Sequence, residues 1–211
     1  MALYEAVGTQ SYRAIKLSFR RRAADSISVS GNYTLAHCVT DTPVTGSFIQ
    51  FSAGYQNPAD PTYDKGNCTT SQKQIASLTA GYKTPQFSNT ALRFVASDWR
   101  LSGILNAHSG DWLTVTTGRE ITFTGIPGQR VNQVNKDPYP KDRTLTAYLN
   151  PAAFAYPAPG TFGDEKARSI QGPGFWNVDL ALARLLSVGA SRALELRVEA
   201  FNVTNNFNWG N

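Results

Sequence analysis

Two long alternating segments near the end of the chain, joined by a short polar break, constrain the fold more than any other feature. In the first, one face of an extended chain is apolar and the other is small or polar: Trp176, Val178, Leu180 and Leu182 against Asn177, Asp179, Ala181 and Ala183. After residues 187–192 the pattern resumes, with Leu194, Leu196, Val198 and Ala200 opposite Glu195, Arg197 and Glu199. Two alternating runs around a short break predict a β-hairpin.

The length of these two strands narrows the class of protein. Each has about 10 residues, whereas strands of soluble proteins mostly have about 5 or 6. A strand that crosses a bilayer obliquely needs about 9 to 11 residues. Alternation over such lengths, with an aromatic residue near the strand end, is typical of an outer-membrane barrel. A soluble two-layer β-sandwich alternates in the same way, so this hairpin alone leaves both classes open.

Four further segments alternate in the same manner, and the sequence therefore predicts six long strands. They lie near residues 11–22, 26–37, 74–83, 97–108, 175–186 and 193–204. Two long segments rich in Gly, Pro, Asn and Thr, residues 38–71 and 109–173, are expected to be irregular loops. Within the second loop we expect short β pieces at residues 112–117 and 121–124.

The order of the connections favours a barrel over a sandwich. Antiparallel neighbours place alternate connections at opposite ends of a sheet, so the two long loops share one end and the shorter connections share the other. This sorting is typical of outer-membrane barrels, and loops of such length count against a compact soluble domain. The predicted fold class is all-β: an antiparallel long-stranded sheet that is part of a transmembrane β-barrel. Short turns lie at one end, long loops lie at the other, and residues 1–211 form a single barrel segment.

Charge and targeting signals exclude several other classes. The net charge of +5 comes from 20 Lys and Arg against 15 Asp and Glu, and it is spread along the chain apart from residues 20–22. This arginine triplet has no interleaved aromatic residues and no helix to present it, so we expect it to close a strand and not to bind nucleic acid. No apolar run approaches the roughly 20 residues of a membrane helix.

Because the first residues lack the basic start and apolar core of a signal peptide, we expect either a cytoplasmic protein or a segment of a larger exported one. The strand pattern favours the second.

The two cysteines also favour an exported protein. Cys38 and Cys68 lie at the two ends of a segment dense in Gly, Pro, Asn and Asp. The absence of a Cys-x-x-Cys motif and of clustered His argues against a metal site. A disulfide between them would close about 30 residues of loop and would stabilise the fold by roughly 3 to 4 kcal/mol in the chain-entropy model. Such a bond requires an oxidising compartment.

Candidate catalytic groups are sparse in the sequence. His37 and His108 lie near strand ends without a partner cluster, so we expect them to be polar residues that face the loops. Ser109 and Asp111 follow His108 directly, but no nucleophile-elbow pattern surrounds them. The Gly-Pro-Gly of residues 172–174 opens no helix and cannot be a phosphate loop. We therefore predict no catalytic and no cofactor-binding residue, and a protein that is not an enzyme.

Acidic and aromatic residues of the loops are the remaining candidates for ligand binding. Asp41, Asp60 and Asp64 lack EF-hand spacing, so we expect solvated loop acids and no metal site. Six aromatic residues are expected to form an interfacial girdle or to pack in the core: Tyr12, Tyr33, Tyr82, Trp99, Trp112 and Trp176. The loop aromatics are candidates for carbohydrate or peptide binding: Phe48, Phe51, Tyr55, Tyr139, Tyr148 and Tyr156.

Six segments, in this order and over nearly the whole chain, resemble one family. They are YRAIKLSFRRR (12–22), VSGNYTLAHC (29–38), ASDWRLSGILNAHSG (96–110), LNPAAF (149–154), GPGFWNVDL (172–180) and LRVEAFNVTN (196–205). Together they are similar to the C-terminal half of Oar-like TonB-dependent receptors, outer-membrane proteins of the carboxypeptidase-regulatory-like domain family that are abundant in Acidobacteria. The resemblance implies a barrel of about 22 strands, closed by an N-terminal plug and energised through TonB.

The resemblance also sets the expected partners. About six strands cannot close a receptor-sized barrel, so we expect either a fragment or a short relative whose edges pair with neighbouring β-chains. The partners would be the lipid bilayer, the remainder of the barrel with its plug, or further copies in a homo-oligomer, in the bacterial outer membrane. A secreted structural or adhesive β-protein that assembles through its edge strands outside the cell is the alternative. A sugar-binding soluble β-sandwich is a third.

Overall fold

One antiparallel sheet of long strands dominates the fold. The computed structural model describes residues 8–23, 26–42, 55–69, 71–126, 128–144, 146–187 and 192–209. Its strands are β1 (Gln10–Ala23), β2 (Ile27–Thr40), β3 (Gly66–Asn67), β4 (Gln74–Lys83), β5 (Trp99–His108), β6 (Trp112–Leu113), β7 (Asn132–Gln133), β8 (Phe154–Ala155), β9 (Ile170–Gln171), β10 (Phe175–Ser187) and β11 (Ala193–Ala200).

The six long strands follow one another in the sheet in the order in which they occur in the chain. The order is β1, β2, β4, β5, β10 and β11, every pair is antiparallel, and the short strand β3 pairs with the end of β2. The register is unbroken, and one row of directly opposed residues runs Leu17, Tyr33, Ala76, Ala107, Trp176. The predicted all-β antiparallel fold is confirmed. The sheet is open, and β1 and β11 are the outermost of the described strands.

An unbroken register keeps the two faces of the sheet chemically distinct, because a slip of one residue would exchange them. One face, here called the apolar face, carries most of the large aliphatic residues of the six strands, while Ile75, Ile104 and Leu185 lie on the other face. Val198 on β11 is 71% exposed and Ile15 on β1 is 64% exposed, so nothing in the described chain covers them. Others on the apolar face are Leu17, Phe19, Ile27, Leu35, Leu78, Tyr82, Leu101, Leu180, Leu182 and Leu196.

The opposite face, here called the polar face, is concave. Arg22 on β1 and Arg197 on β11 come from opposite edges of the sheet, yet both line one cavity of about 390 Å³. The two edge strands of a flat six-stranded sheet would be roughly 24 Å apart, since neighbours are spaced by about 4.8 Å. The sheet therefore curves around its polar side.

Three elements differ from the sequence expectation. The connection between β4 and β5 contains a short helix, α1 (Thr90–Ala96), because the Asn89 side chain accepts hydrogen bonds from the backbone N–H groups of Ala91 (3.0 Å) and Leu92 (3.2 Å). Residues 121–124 are not a strand. Phe123 has a φ of 60°, and the Gln129 side chain accepts the hydrogen bonds of the two preceding backbone N–H groups.

The last strand is shorter than predicted. β11 ends at Ala200 and not near residue 204, because Asn202 has a φ of 48° and its backbone N–H donates to the Asp179 carboxylate at 2.8 Å. Of the helices in the described part of the chain, none is long and apolar enough to cross a membrane.

Candidate functional site

The described parts of the two long connections fold together into one structure at one end of the sheet, here called the cap (residues 55–69, 109–126, 128–144 and 146–174). Two strand pairs lie inside it, β6 with β9 and β7 with β8. Glycines stand where its backbones cross. A Cβ atom on Gly66 would overlap the carbonyl group of Ala167, and one on Gly110 would overlap that of Gly172. The described parts of these two segments are largely irregular, as expected, with short strands such as β6 within residues 112–117, and they also pack on each other.

A disulfide ties the cap to the sheet. Cys38, near the end of β2, is bonded to Cys68, and both are buried. The backbone N–H of Cys68 also donates to the carbonyl oxygen of Cys38 at 3.1 Å. The first long connection is therefore attached covalently to the strand from which it departs.

Arg130 joins the two halves of the cap. Its Nη1 donates to Oδ1 of Asp64 at 2.8 Å in an ion pair buried on both sides. Its Nε donates to the carbonyl oxygen of Glu165 (2.8 Å), and its Nη2 donates to that of Tyr63 (2.6 Å). The guanidinium also lies 3.5 Å from the centroid of the Tyr63 ring. Removing one partner of such a buried pair typically costs about 3 to 5 kcal/mol, because it leaves the other charge uncompensated.

Arg168 fastens the same region to the sheet. Its Nη2 donates to the carbonyl oxygens of Thr40 (2.8 Å) and Asp64 (2.5 Å), and its Nη1 donates to that of Thr42 (3.3 Å). The residue is 2% exposed, and burial lowers the pKa of its guanidinium. One side chain thus holds the end of β2 and both halves of the cap together.

Glu165 is a buried acid of the cap that forms no salt bridge with the described residues. It is 1% exposed, its Oε1 accepts a hydrogen bond from Ser169 at 3.0 Å, and its buried Oε2 has no hydrogen-bond partner among the described residues. Burial raises the pKa of this carboxyl group to about 7. The cap therefore contains an acid whose charge changes near neutral pH.

The three loop aspartates have different surroundings, and one expectation about them is wrong. Asp64 is 4% exposed and not solvated, because it pairs with Arg130 and accepts a hydrogen bond from the backbone N–H of Gln56 (2.7 Å). Asp60 caps the 3₁₀ turn Pro61–Asp64. Hydrogen bonds from Thr9 lower the pKa of Asp41. Within the residues that the structure describes, no group of three or more His, Cys, Asp or Glu is arranged to hold a metal ion.

The structure does not bring His108, Ser109 and Asp111 into a triad arrangement. The Nδ1 of His108 lies 3.0 Å from the backbone oxygen of Ser109, while the Ser109 hydroxyl accepts a hydrogen bond from the backbone N–H of Gln74. The imidazole stacks on Phe175 with ring centroids 5.0 Å apart. His37 is exposed on the opposite side of the sheet. Gly172 serves the packing of the cap, since its N–H donates to the carbonyl oxygen of Asp111.

Aromatic residues of the cap line a cleft of about 470 Å³ above β4 and β5. The hydroxyl groups of Tyr139 and Tyr148 both donate to the carbonyl oxygen of Gln171, at 2.9 and 3.0 Å. Arg143 lies 3.9 Å from the centroid of the Tyr139 ring. Of the other loop aromatics, Tyr55 is half-buried and Tyr156 is exposed, while residues 48 and 51 lie outside the described part of the chain.

A model of the family described as an outer membrane beta barrel domain matches residues 1–211. The chain belongs to this family. No match was found among curated proteins or among solved structures.

Membership of the outer membrane β-barrel family explains why the two faces differ. An outer-membrane barrel turns an apolar surface to lipid and a polar surface to its interior. The apolar face is therefore the lipid-facing surface, and the concave polar face is the barrel interior. The localisation that follows is the outer membrane.

Four of the six aromatic residues expected in a girdle lie on the lipid-facing surface of this outer-membrane domain. Trp99 and Tyr82 are near the end with short connections, and Tyr33 and Trp176 are near the cap. Trp99 pairs in register with Arg184 and Trp176 with Ala107, so eight residues separate the two levels. That spacing is roughly 27 Å along a strand, close to the 25 Å apolar band of such barrels.

The other two aromatic residues do not fit a girdle. Tyr12 shares the polar face with Lys16 and Ser18, since strand alternation places even-numbered residues of β1 there. Trp112 belongs to β6 in the cap and not to a long strand.

Sequence reasoning missed the residues that hold the cap of this outer-membrane domain together. Arg130, Glu165 and Arg168 are charged and lie in Gly- and Pro-rich segments, where the expected state is solvated. Their partners are distant in the chain, 66 residues apart for Arg130 and Asp64 and 128 for Arg168 and Thr40. No local pattern marks such a pair.

Proposed function

We propose that the chain is a non-enzymatic segment of the barrel of an Oar-like TonB-dependent receptor or transporter in the bacterial outer membrane. The observation that carries the proposal is the shape of the sheet together with its cap. The concave face is polar and the other face turns to lipid. At one end the long connections form a cap that a disulfide fastens to the sheet. Long connections of outer-membrane barrels lie outside the cell. In this arrangement the cap surrounds the outer mouth, and the polar face lines the path of a solute.

The shape of the sheet supports a barrel larger than the described strands. β1 has 14 residues, and its outer edge bears backbone N–H and C=O groups that pair with no other described strand. Unsatisfied backbone groups cost several kcal/mol each within a bilayer, so both edges require a strand partner there. The remainder of a receptor barrel, with its plug, would supply those strands and fill the interior.

A labelling experiment tests the transporter assignment. Ser102 lies on the polar face of β5, and Asp142 is exposed in the cap. With Ser102→Cys in the full-length protein in its native host, we expect a membrane-impermeant maleimide to react faster when the inner membrane is energised, because TonB would displace the plug. Asp142→Cys is the control and should react equally with and without a protonophore. Equal reaction rates of Ser102→Cys under both conditions would rule out TonB-dependent gating.

The exposed edge strands favour one other candidate, a secreted structural or adhesive β-protein that assembles through β1 and β11. Unpaired edges are templates for pairing with further chains. Size-exclusion chromatography without detergent separates the two functions. A discrete oligomer or filament that stays in solution supports the adhesive protein, whereas a requirement for detergent supports the receptor.

A further inference from the structure

The polar face carries a row of cationic side chains near the short connections. Two of these side chains have no salt-bridge partner in the described chain. Lys83 on β4 is directly opposite Arg100 on β5, and the same row continues through Ala183 to Arg197. Like charges directly opposite each other on neighbouring strands destabilise a sheet. Among the described residues, Lys83 and Arg100 have no salt bridge, while Arg197 pairs with Glu199.

The neighbouring row is built from small residues. From β2 to β10 it runs Ser28, Gly81, Ser102, Ala181, and it begins at Arg22 on β1. Gly81 leaves space there for the Ser28 side chain, whose hydroxyl oxygen would lie 2.8 Å from a Cβ atom at this position. Small side chains leave a trough of about 390 Å³. Arg22, Lys83, Arg100 and Arg197 line it, and Glu195 is the one carboxylate among its described lining residues.

We propose that this trough binds a small multivalent anion, a solute with two or more carboxylate or phosphate groups. Guanidinium groups present paired N–H donors that match the oxygens of both groups, and the Ser28 and Ser102 hydroxyls supply further donors. A concave surface of one charge concentrates counter-ions of the opposite sign. An anion seated there offsets the repulsion between Lys83 and Arg100, which explains why two cations are in direct register.

The site requires only the concave polar face. That the anion is the transported solute rests on the proposed function. A binding measurement on the purified full-length protein in neutral detergent therefore tests the site without testing TonB dependence, and the maleimide experiment does the reverse.

Citrate is a suitable probe, with glucose as the uncharged comparison, and isothermal titration calorimetry at low ionic strength is the measurement. We expect citrate to bind and glucose not to bind. Lys83→Gln and Arg100→Gln should each weaken binding about tenfold or more, the usual effect of losing a hydrogen bond to a charged group. Lys16→Gln removes the same charge from the same face outside the trough, and it should change the dissociation constant less than about twofold.

Thermal unfolding separates a binding role from a structural one. Without citrate, Lys83→Gln should unfold at the same temperature as the wild type or higher, because it relieves like-charge repulsion. With citrate, the wild type should gain more stability than the variant. The proposal is overturned if citrate does not bind, if Lys16→Gln weakens binding as much as Lys83→Gln, or if Lys83→Gln lowers the unfolding temperature without citrate. The last result would mean that Lys83 is neutralised within the protein itself.

Discussion

Arg130 and Arg168 show how a charged residue in a Gly- and Pro-rich segment can hold the cap together. Arg130 and Arg168 direct their guanidinium donors mainly at backbone carbonyl groups, which a connection without long strands leaves unpaired. An arginine has five N–H donors, so one side chain satisfies several of these groups at once. This accounts for the burial of two cations with only one carboxylate, Asp64, as a salt-bridge partner among the described residues.

Glu165 makes the stability of the cap depend on pH. Its pKa is about 7 in the folded cap against an ordinary value of 4.5, so the folded state binds the proton more tightly than the unfolded one. The contribution of Glu165 to cap stability is therefore fully present below pH 4.5, falls as the pH rises from 4.5 to 7, and is lost above 7. The loss is on the order of 3 kcal/mol, since a tenfold change in proton affinity is about 1.4 kcal/mol.

Hydrogen–deuterium exchange of residues 129–133, corrected for intrinsic exchange, measures this opening. We expect more opening at pH 8 than at pH 5 in the wild type. Glu165→Gln keeps a neutral hydrogen-bonding side chain, so its opening should be nearly independent of pH. Asp142→Asn, at an exposed cap position, should behave as the wild type. A pH response of Glu165→Gln equal to that of the wild type would show that another group is responsible.

At the scale of one strand, a lysine introduced on the lipid-facing side of β5 should cost more unfolding free energy than one introduced on its polar side. Leu105 lies on the lipid-facing surface between Leu78 and Val178, and Asn106 lies on the polar face between Ser77 and Asn177. Leu105 lies between the middle of the bilayer and the cap-side aromatic level, so Leu105→Lys should cost about 1 to 3 kcal/mol of unfolding free energy, because the ammonium group loses hydration. Asn106→Lys should cost less than about 1 kcal/mol, because that position faces water.

Equilibrium unfolding in phospholipid vesicles gives both values. Equal destabilisation by the two substitutions would mean that the faces of β5 are not differentiated by lipid. Greater destabilisation by Asn106→Lys would reverse the orientation of the sheet.

At the scale of the whole molecule, the tryptophans report how the domain sits in the membrane. Trp99 and Trp176 lie at opposite ends of the lipid-facing surface, while Trp112 lies in the cap. In variants that keep one tryptophan and replace the others by Phe, lipids brominated on their acyl chains should quench Trp99 and Trp176 strongly and Trp112 weakly. Quenching of Trp112 as strong as that of Trp176 would place the cap within the bilayer.

The long strands could be predicted from sequence because their signal is local. The first strand runs Gln10–Ala23 where alternation predicts 11–22, and the tenth runs Phe175–Ser187 where it predicts 175–186. Alternation gives the wrong secondary structure where a side chain accepts the hydrogen bonds of backbone N–H groups. Gln129 prevents a strand at residues 121–124, Asn89 begins a helix, and Asp179 ends the last strand early.

The sequence by itself determined the strand positions, the apolar and polar faces, and the end of the sheet at which the long connections lie. All three depend on a period of two residues and on the order of the connections, which need no knowledge of distant contacts. Only the tertiary structure decided that these connections form a cap, that Asp64 is buried, and that Lys83, Arg100 and Arg197 share one row. Those features join residues far apart in the chain, and the energy of a buried charge depends on which partner the fold brings to it.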